Sequence, residues 1–250
     1  MITVEHLHIY PVKSCAGIDL GEAKVGPRGF EFDRNWVVVD EAGQKITQRD
    51  IEAMATIKTR LMDDSLILSH STREEISIPL QQSGGVGSEV DIWGNKCQGL
   101  DEGDEPANWL SAVLGQRCRL LKFDESSVRA LDPEWVGDTG ATAAFADVLP
   151  FHIINSESLK PLNEWRADLE LPPCSYDRFR PNIVISGLNA WAEDDLPAVV
   201  IGGVQIDFTR PCSRCRIPDI NQQTGDEEET GNLDVLASKR LFKNVIDRPG

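Results

Sequence analysis

Two cysteines stand close together in the second half of the sequence, and their spacing could support metal or redox chemistry. Cys212 and Cys215 form a Cys-x-x-Cys pair, and three arginines share residues 210–216 with them. Positive neighbours favour the thiolate form of a cysteine, which is the form that binds metals or attacks an electrophile. This pair is therefore the strongest signal of chemistry in the sequence.

Four interpretations of the pair are open. Structural zinc needs further ligands, and the sequence has no second cysteine pair and no paired histidines. A thioredoxin-like redox pair needs a helix that begins at the first cysteine, but Pro218 follows closely and no helical periodicity is present. The third interpretation is a single thiolate ligand for a soft, redox-active metal that is held mainly by another group. The fourth is that both cysteines are small buried side chains.

Several basic residues lie where predicted strands begin or end. Lys13 and Ser14 belong to a turn-forming segment, in which an ammonium group, a hydroxyl and backbone amides could bind a phosphate. Arg34 and Arg180 each precede an apolar run, and arginine offers planar bidentate contacts to phosphate. In an acidic chain these positions suggest an anion pocket, although each arginine could instead form an ordinary ion pair with a nearby aspartate.

Other chemistry-bearing residues carry weaker signals. The four histidines show no metal-binding spacing on a helix, so we interpret them as structural or surface residues. The sequence has no Gly-x-Ser-x-Gly elbow, Walker loop or Gly-x-Gly-x-x-Gly fingerprint, which leaves hydrolase and nucleotide-binding functions without a motif. The acidic run at residues 226–229 is interpreted as a solvated loop without chemistry.

Composition restricts the partners. The chain has 250 residues, with 25 Lys and Arg against 41 Asp and Glu, and its net charge of −16 is spread along the sequence. We therefore expect no nucleic-acid partner and no membrane partner. No apolar run approaches the roughly 20 residues that cross a bilayer, and the first residues do not resemble a signal peptide. A cytoplasmic location with reduced cysteines is the expectation.

The elements that must position these residues are mostly strands. Short runs of β-forming residues are separated by Gly-rich or polar turns, among them Ser83-Gly84-Gly85 and a hairpin turn at Gly202-Gly203. One predicted helix ends at Gly115, and a second begins with Ser156 as its cap and reaches Leu169. This pattern predicts a mainly β fold with α, of the β-barrel type, and a domain boundary within residues 125–140. The predicted strands are residues 3–10, 36–40, 45–47, 65–69, 75–79, 89–93, 118–123, 182–186, 198–201 and 204–208.

Four segments taken together resemble MOSC-domain proteins, in particular the branch of the amidoxime-reducing components and the bacterial reductases of N-hydroxylated compounds. They are residues 10–14 (Tyr-Pro-Val-Lys-Ser), 32–34 (Phe-Asp-Arg), 179–187 (Phe-Arg-Pro-Asn-Ile-Val-Ile-Ser-Gly) and 211–215 (Pro-Cys-Ser-Arg-Cys). The segments follow one another in order over nearly the whole chain. Any one of them would be a weak signal, but the four together are specific.

The resemblance implies a MOSC N-terminal β-barrel domain at residues 1–124 and a MOSC β-barrel domain at residues 125–250. It also implies that the last strand of the second barrel, after residues 241–246, is missing. Molybdenum-molybdopterin would bind between the domains, and the family also implies an association with pyridoxal phosphate. Cys215 would be the metal ligand and catalytic residue. The implied cofactor contacts are Lys13, Ser14, Arg34, Arg180, Asn182, Ser213 and Arg214.

The implied reaction is the reduction of small N-hydroxylated substrates by oxygen-atom transfer at the Cys-ligated molybdenum. Two electrons would then restore the metal, and we expect them from a separate ferredoxin-like or flavoprotein donor. An alternative is a non-catalytic carrier of molybdenum cofactor or of sulfur within the same family. A plain β-rich scaffold with buried cysteines would bind no metal.

Overall fold

The computed structural model describes residues 1–81 and 85–240, and most of its regular structure consists of short strands. The predicted mainly β fold with added helices is therefore confirmed. The strands are β1 (Thr3–Ile9), β2 (Ile18–Leu20), β3 (Val25–Gly26), β4 (Gly29–Phe30), β5 (Trp36–Asp40), β6 (Lys58–Met62), β7 (Ser65–His70), β8 (Arg73–Pro79), β9 (Gly87–Ile92), β10 (Asn95–Asp101), β11 (Cys118–Phe123), β12 (Ile153–Asn155), β13 (Ile183–Ser186), β14 (Ala198–Ile201) and β15 (Val204–Asp207). The helices are α1 (Asp104–Leu114), α2 (Pro133–Val136), α3 (Leu159–Ala167) and α4 (Asn232–Lys239). Short 3-10 turns lie at Glu52–Thr56, Ser156–Ser158, Tyr176–Phe179, Ala192–Asp195 and Ile217–Asp219.

The chain forms two compact units that alternate along the sequence. The N-terminal unit comprises His8–Pro150 and Gln222–Gly225. The C-terminal unit comprises Met1–Leu7, Phe151–Asn221 and the described residues 226–240. These units follow spatial proximity rather than chain order, so the predicted domain boundary between residues 124 and 125 stays a prediction.

The N-terminal unit is built on an antiparallel sheet in the order β5-β11-β10-β9, accompanied by a three-stranded antiparallel sheet, β6-β7-β8. Successive side chains of β5 enter two different cores because strand side chains alternate between faces. Trp36 and Val38 pack with α1, whereas Val37 and Val39 pack with Phe145. Each such side chain contributes roughly 1.5–3 kcal/mol when it leaves water. Both faces of β5 are therefore fixed, and so are the turns that flank it.

The C-terminal unit contains β13, which pairs antiparallel with β1 and parallel with β12. The first three residues of β13 are buried, as its apolar sequence Ile-Val-Ile requires. A separate hairpin joins β14 to β15 through Gly202 (φ 57°) and Gly203 (φ 82°). Two successive positive φ angles are the geometry of a type I′ turn, as the Gly-Gly pair predicts. The Cys-x-x-Cys segment follows directly after this hairpin.

Three details of the predicted elements are wrong. Asn155, not Ser156, caps the second helical region, because its side chain accepts a hydrogen bond from the Glu157 amide. Helix α3 ends at Ala167, so Leu169 lies outside it. Residues 45–47 form only an isolated bridge, between Lys45 and Val39, rather than a strand. The helix that ends at Gly115 is confirmed, and this glycine has the left-handed φ of 72° that is typical of a helix C-cap.

Two expectations fall outside the described residues. They are the turn at Ser83-Gly84 and the fate of the strand after residues 241–246. Within the described ranges, none of the helices has the combined length and hydrophobicity of a membrane-spanning segment.

Candidate functional site

Lys13 is a buried cation in the turn that follows β1. Its backbone amide donates to the carbonyl of Trp36 over 2.8 Å, which anchors the turn to β5. Its Nζ donates to the carbonyl of Phe145 over 2.9 Å and to Oδ1 of Asp147 over 2.5 Å. Burial lowers the pKa of Lys13, because removal from water disfavours the charged form, while Asp147 opposes this effect. The lysine is thus held in one orientation by a carbonyl and a carboxylate.

Asp147 carries the opposite charge of this pair. Burial acts to raise the pKa of its carboxyl group, but the charge and hydrogen bond of Lys13 and a hydrogen bond from Trp93 together hold that pKa well below its ordinary value. The indole Nε1 of Trp93 lies 2.8 Å from the same Oδ1 atom that Lys13 contacts. Asp147 is therefore ionised at neutral pH, and its charge is directed at Lys13.

Arg34 lies in a tight turn before β5 and adopts the left-handed backbone, with φ 50°. Its amide donates to the carbonyl of Tyr10 over 2.9 Å, and its guanidinium lies 4.4 Å from the centre of the Tyr10 ring. Nη1 also donates to Oδ2 of the buried Asp33 over 2.5 Å. The ordinary ion pair considered from the sequence is therefore present. A planar guanidinium has five N–H donors, so this one ion pair does not use all of them.

An irregular segment at residues 143–147 connects Lys13 to Arg34. The amide of Phe145 donates to the carbonyl of Arg34 over 2.9 Å, and the carbonyl of Phe145 accepts from Lys13. The buried Arg129 fixes this segment, because its Nε donates to Ala144 O over 2.7 Å and its Nη2 donates to Ala146 O over 2.5 Å. Sequence reasoning missed Arg129, which lies in a polar stretch without periodicity.

Ser14 is buried and also left-handed, with φ 68°. Its carbonyl accepts a 2.7 Å hydrogen bond from Nε2 of Gln48, whose amide group pairs in both directions with that of Gln222 over 3.0 Å. Arg180 is the third candidate residue with a left-handed backbone conformation, with φ 53°. Non-glycine residues in this region store strain of about 1–3 kcal/mol, and such residues cluster at functional sites. Three of the eight residues proposed from the sequence share this property.

The C-terminal unit brings Asn182 and Arg214 together through His152. The amide of His152 donates to Oδ1 of Asn182 over 3.2 Å, and Nη1 of Arg214 lies 3.1 Å from Nε2 of the same histidine. The Arg214 guanidinium also lies 5.0 Å from the centre of the Phe179 ring. His152 therefore links two predicted cofactor contacts, which is a structural role of the kind proposed for the histidines from the sequence.

The two cysteines lie in a loop, residues 208–215, that has no regular secondary structure. Cys212 is exposed and Cys215 is partly exposed, so the interpretation of both as buried side chains is wrong. No helix begins at Cys212, as a thioredoxin-like pair would require. Within residues 1–81 and 85–240, neither cysteine belongs to a group of three or more His, Cys, Asp or Glu ligand atoms, so the structure shows no ligand set for zinc at this pair. The interpretation as a single thiolate ligand stays a prediction. Ser213 lies between the cysteines and is exposed.

A charged network anchors the chain just after Cys215. Arg178 donates to the carbonyl of Asp219 over 2.9 Å and to Glu228 over 2.8 Å. The fully buried Arg166 donates to both carboxylate oxygens of Glu228 over 3.1 Å each. The acidic run at residues 226–229 is therefore more than a solvated loop, since Glu228 neutralises two arginines. Its role could not be read from a run of four acidic residues.

Each unit thus holds part of the predicted set. The N-terminal unit holds the linked pair Lys13 and Arg34, with Ser14 next in sequence. The C-terminal unit holds the remaining residues, with the Cys215 loop attached to Asn182 through Arg214 and His152. The two sets are described separately, and their assignment to one cofactor stays a prediction.

Two family models match the sequence. The MOSC N-terminal beta barrel domain matches residues 1–117, and the MOSC domain matches residues 141–246. The chain belongs to the MOSC family. The resemblance drawn from the four segments is therefore confirmed, as are the MOSC domain types and the relation to the molybdenum cofactor at the level of the family.

Relatives of this MOSC protein cover most of its length. Mitochondrial amidoxime-reducing component 1 of Mus musculus is 32% identical over 249 residues, which span 96% of this chain and 72% of the relative. The Homo sapiens protein of the same name is 31% identical over 247 residues, with coverage of 95% and 72%. Molybdenum cofactor sulfurase of Danio rerio is 31% identical over 242 residues, or 89% of this chain but 28% of that longer protein. The cytoplasmic location and pyridoxal phosphate binding of the MOSC chain stay predictions.

Proposed function

We propose that this chain is a molybdenum-dependent reductase of N-hydroxylated compounds and that Cys215 is its metal ligand. Amidoximes are N-hydroxylated compounds, and proteins named as amidoxime-reducing components match the chain over almost its whole length. The observation that carries the proposal is the position of Cys215. It is a partly exposed thiol in an irregular loop, and its neighbour Arg214 is held by His152.

The donor set fits the cofactor in both of its chemical parts. A thiolate is a soft ligand of the kind that suits a redox-active metal, and Cys215 is a partly exposed thiol. The pyranopterin part carries a phosphate, for which ammonium and guanidinium groups are the appropriate donors. The buried Lys13 and the constrained Arg34 supply such donors in one unit, and Arg180 and Arg214 supply them in the other.

When bound, the cofactor supplies the redox centre at which an N–OH compound takes up two electrons and two protons and leaves as the N–H compound and water. The residues of the chain bind and orient it. Lys13 and Arg34 contact the phosphate, with Ser14 presenting its hydroxyl and amide in the same turn. Asn182, Ser213 and Arg214 contact the pterin side near Cys215. A separate ferredoxin-like or flavoprotein donor supplies the electrons.

The experiment compares two cysteine variants of the full chain, purified from a host that makes molybdenum cofactor. With a chemical reductant and an amidoxime, the wild type turns over, Cys215→Ala loses turnover, and Cys212→Ala retains it. Cys212→Ala is the matched control because it removes the same atom from the same loop. Full activity of Cys215→Ala would contradict the proposal. Bound cofactor without turnover in the wild type would instead support the carrier.

A further inference from the structure

Lys13 forms an ion pair with Asp147 over 2.5 Å. A lysine can bind phosphate without such a partner, so the ion pair needs its own explanation. We propose that Asp147 is a positioning residue, which holds the Lys13 ammonium in place and in its charged form for an anionic phosphate group, and that Trp93 and Arg129 in turn fix Asp147. This inference rests on the proposed function, in which Lys13 contacts the phosphate of the cofactor.

The donors of Lys13 support this assignment. An ammonium group has three N–H donors. Within the described part of the chain, Phe145 O and Asp147 Oδ1 accept two of them. Two fixed acceptors determine the direction of the third donor, because the three N–H bonds of an ammonium group are tetrahedrally arranged. Asp147 therefore helps to fix the orientation of the Lys13 ammonium group as well as balancing its charge.

Asp147 is itself fixed from two sides. Trp93 donates to Oδ1 over 2.8 Å. Two cations lie over the indole ring of Trp93: Lys45 Nζ is 4.6 Å and Arg49 Cζ is 4.9 Å from the ring centre. The backbone of Trp93 is in the left-handed region, with φ 56°, which costs a non-glycine residue about 1–3 kcal/mol, and Trp93 is 41% exposed. On the backbone side, Arg129 binds the carbonyl of Ala146, the residue before Asp147.

The charges around Lys13 determine whether its pKa rises or falls when Asp147 is replaced. Burial lowers its pKa most, Asp147 raises that pKa, and Arg34 and Arg49 lower it through repulsion. Removal of the carboxylate leaves a buried ammonium group beside two guanidinium groups. An opposite charge within about 4–6 Å shifts a pKa by about 1–3 units, so Asp147→Asn moves the loss of the lysine proton to lower pH by about that amount.

The test measures binding of inorganic phosphate to the cofactor-free full chain by calorimetry, from acidic to alkaline pH. The quantity compared is the ratio of variant to wild-type affinity, in which the titration of phosphate itself cancels. At low pH Lys13 is protonated in both proteins, and Asp147→Asn binds at least as tightly because a carboxylate next to the anion is gone. As pH rises, Asp147→Asn loses affinity about 1–3 pH units before the wild type does, so the two curves cross.

Two further variants make the result specific. Asp147→Glu keeps the charge and restores the wild-type pH profile at least in part. Asp63→Asn removes an exposed carboxylate from the same unit and leaves the profile unchanged. If Asp147 were merely structural, Asp147→Asn would lower affinity by the same factor at every pH, and that result would overturn the inference.

The failure of the inference can be told apart from the failure of the proposed function. If Lys13→Met binds phosphate as tightly as the wild type, Lys13 is not a phosphate ligand and the assigned cofactor contact is wrong. If Lys13→Met loses binding while Asp147→Asn matches the wild type at all pH values, only the positioning role is wrong. Thermal unfolding of each variant verifies that the chain is folded in these measurements.

Discussion

Asn182 and His152 exchange two hydrogen bonds: the amide of Asn182 donates to the carbonyl of His152 over 2.8 Å, and the amide of His152 donates to Oδ1 of Asn182 over 3.2 Å. Because β13 begins at the next residue, Ile183, this exchange fixes the histidine at the start of a buried strand. Arginine can only donate hydrogen bonds, so Nε2 of His152 is the acceptor for Arg214 in this contact.

The first prediction concerns this contact. His152→Phe removes the acceptor for Arg214, and hydrogen bonds to charged groups are worth about 1.5–3 kcal/mol. We expect the variant to retain about tenfold less pterin through purification, measured by the fluorescence of the oxidised pterin. His152→Gln, which offers an acceptor oxygen, recovers most of it. The control is His70→Phe, since His70 hydrogen-bonds Thr56 and Thr72 instead. Equal pterin in His152→Phe and the wild type would contradict this role.

The second prediction concerns the anchor behind Cys215. Glu228→Gln leaves the fully buried Arg166 without a carboxylate in this network. Removing one partner of a buried ion pair costs about 3–5 kcal/mol, and the partial exposure of Glu228 favours the lower end of that range. Urea unfolding measures the loss. Glu229→Gln changes an exposed neighbour and stays within about 0.5 kcal/mol of the wild type. Equal stability of the two variants would show that the network contributes nothing.

The third prediction concerns thiol reactivity. Burial raises the pKa of both Cys97 and Cys174 to about 11, so these thiols are protonated as well as buried at neutral pH. Alkylation of the native, cofactor-free protein should label Cys212 first and Cys215 next, as read by peptide mass spectrometry. Cys97 and Cys174 become labelled only after unfolding. Rapid labelling of either in the native state, or none at Cys215, would contradict the described burial.

The fourth prediction concerns acid stability. The folded-state pKa of Asp147 lies below its ordinary value of 3.8, so its contribution to stability is present above that pH and is lost as pH falls through the lower folded value. Asp147→Asn should therefore be less stable than the wild type at neutral pH, by about 1–2 kcal/mol given the solvent screening of a partly exposed carboxylate. Urea unfolding at several pH values should show the difference shrinking in acid. A difference that is constant with pH would refute the assignment.

Local sequence predicted the elements better than the contacts between them. Three predicted elements depend only on residues that are close together in sequence, and all three are present. They are the alternating strand β1, the apolar strand β5 and the turn at Gly202-Gly203. The cap at Asn155 was misassigned because Asn and the following Ser are both good caps, and only the tertiary structure selects between them.

The residues of the candidate site stay predictions from the sequence, and the side chains that support them could not be predicted. Cys215, Lys13 and Arg34 stand in recognisable segments. Arg129 and Glu228 act over separations of 15 to 62 residues, for which no periodicity exists. Buried charges of this kind are fixed by their partners in space, so a single sequence leaves them indistinguishable from surface charges.

The most direct test of the account is the molybdenum content of Cys215→Ser, set against Cys212→Ser and the wild type. All three are purified from the same cofactor-producing host, and molybdenum and pterin are measured per chain. The account predicts that Cys215→Ser alone loses most of its molybdenum, while Cys212→Ser keeps the wild-type ratio. Wild-type molybdenum in Cys215→Ser would contradict the assignment of this sulfur as the metal ligand.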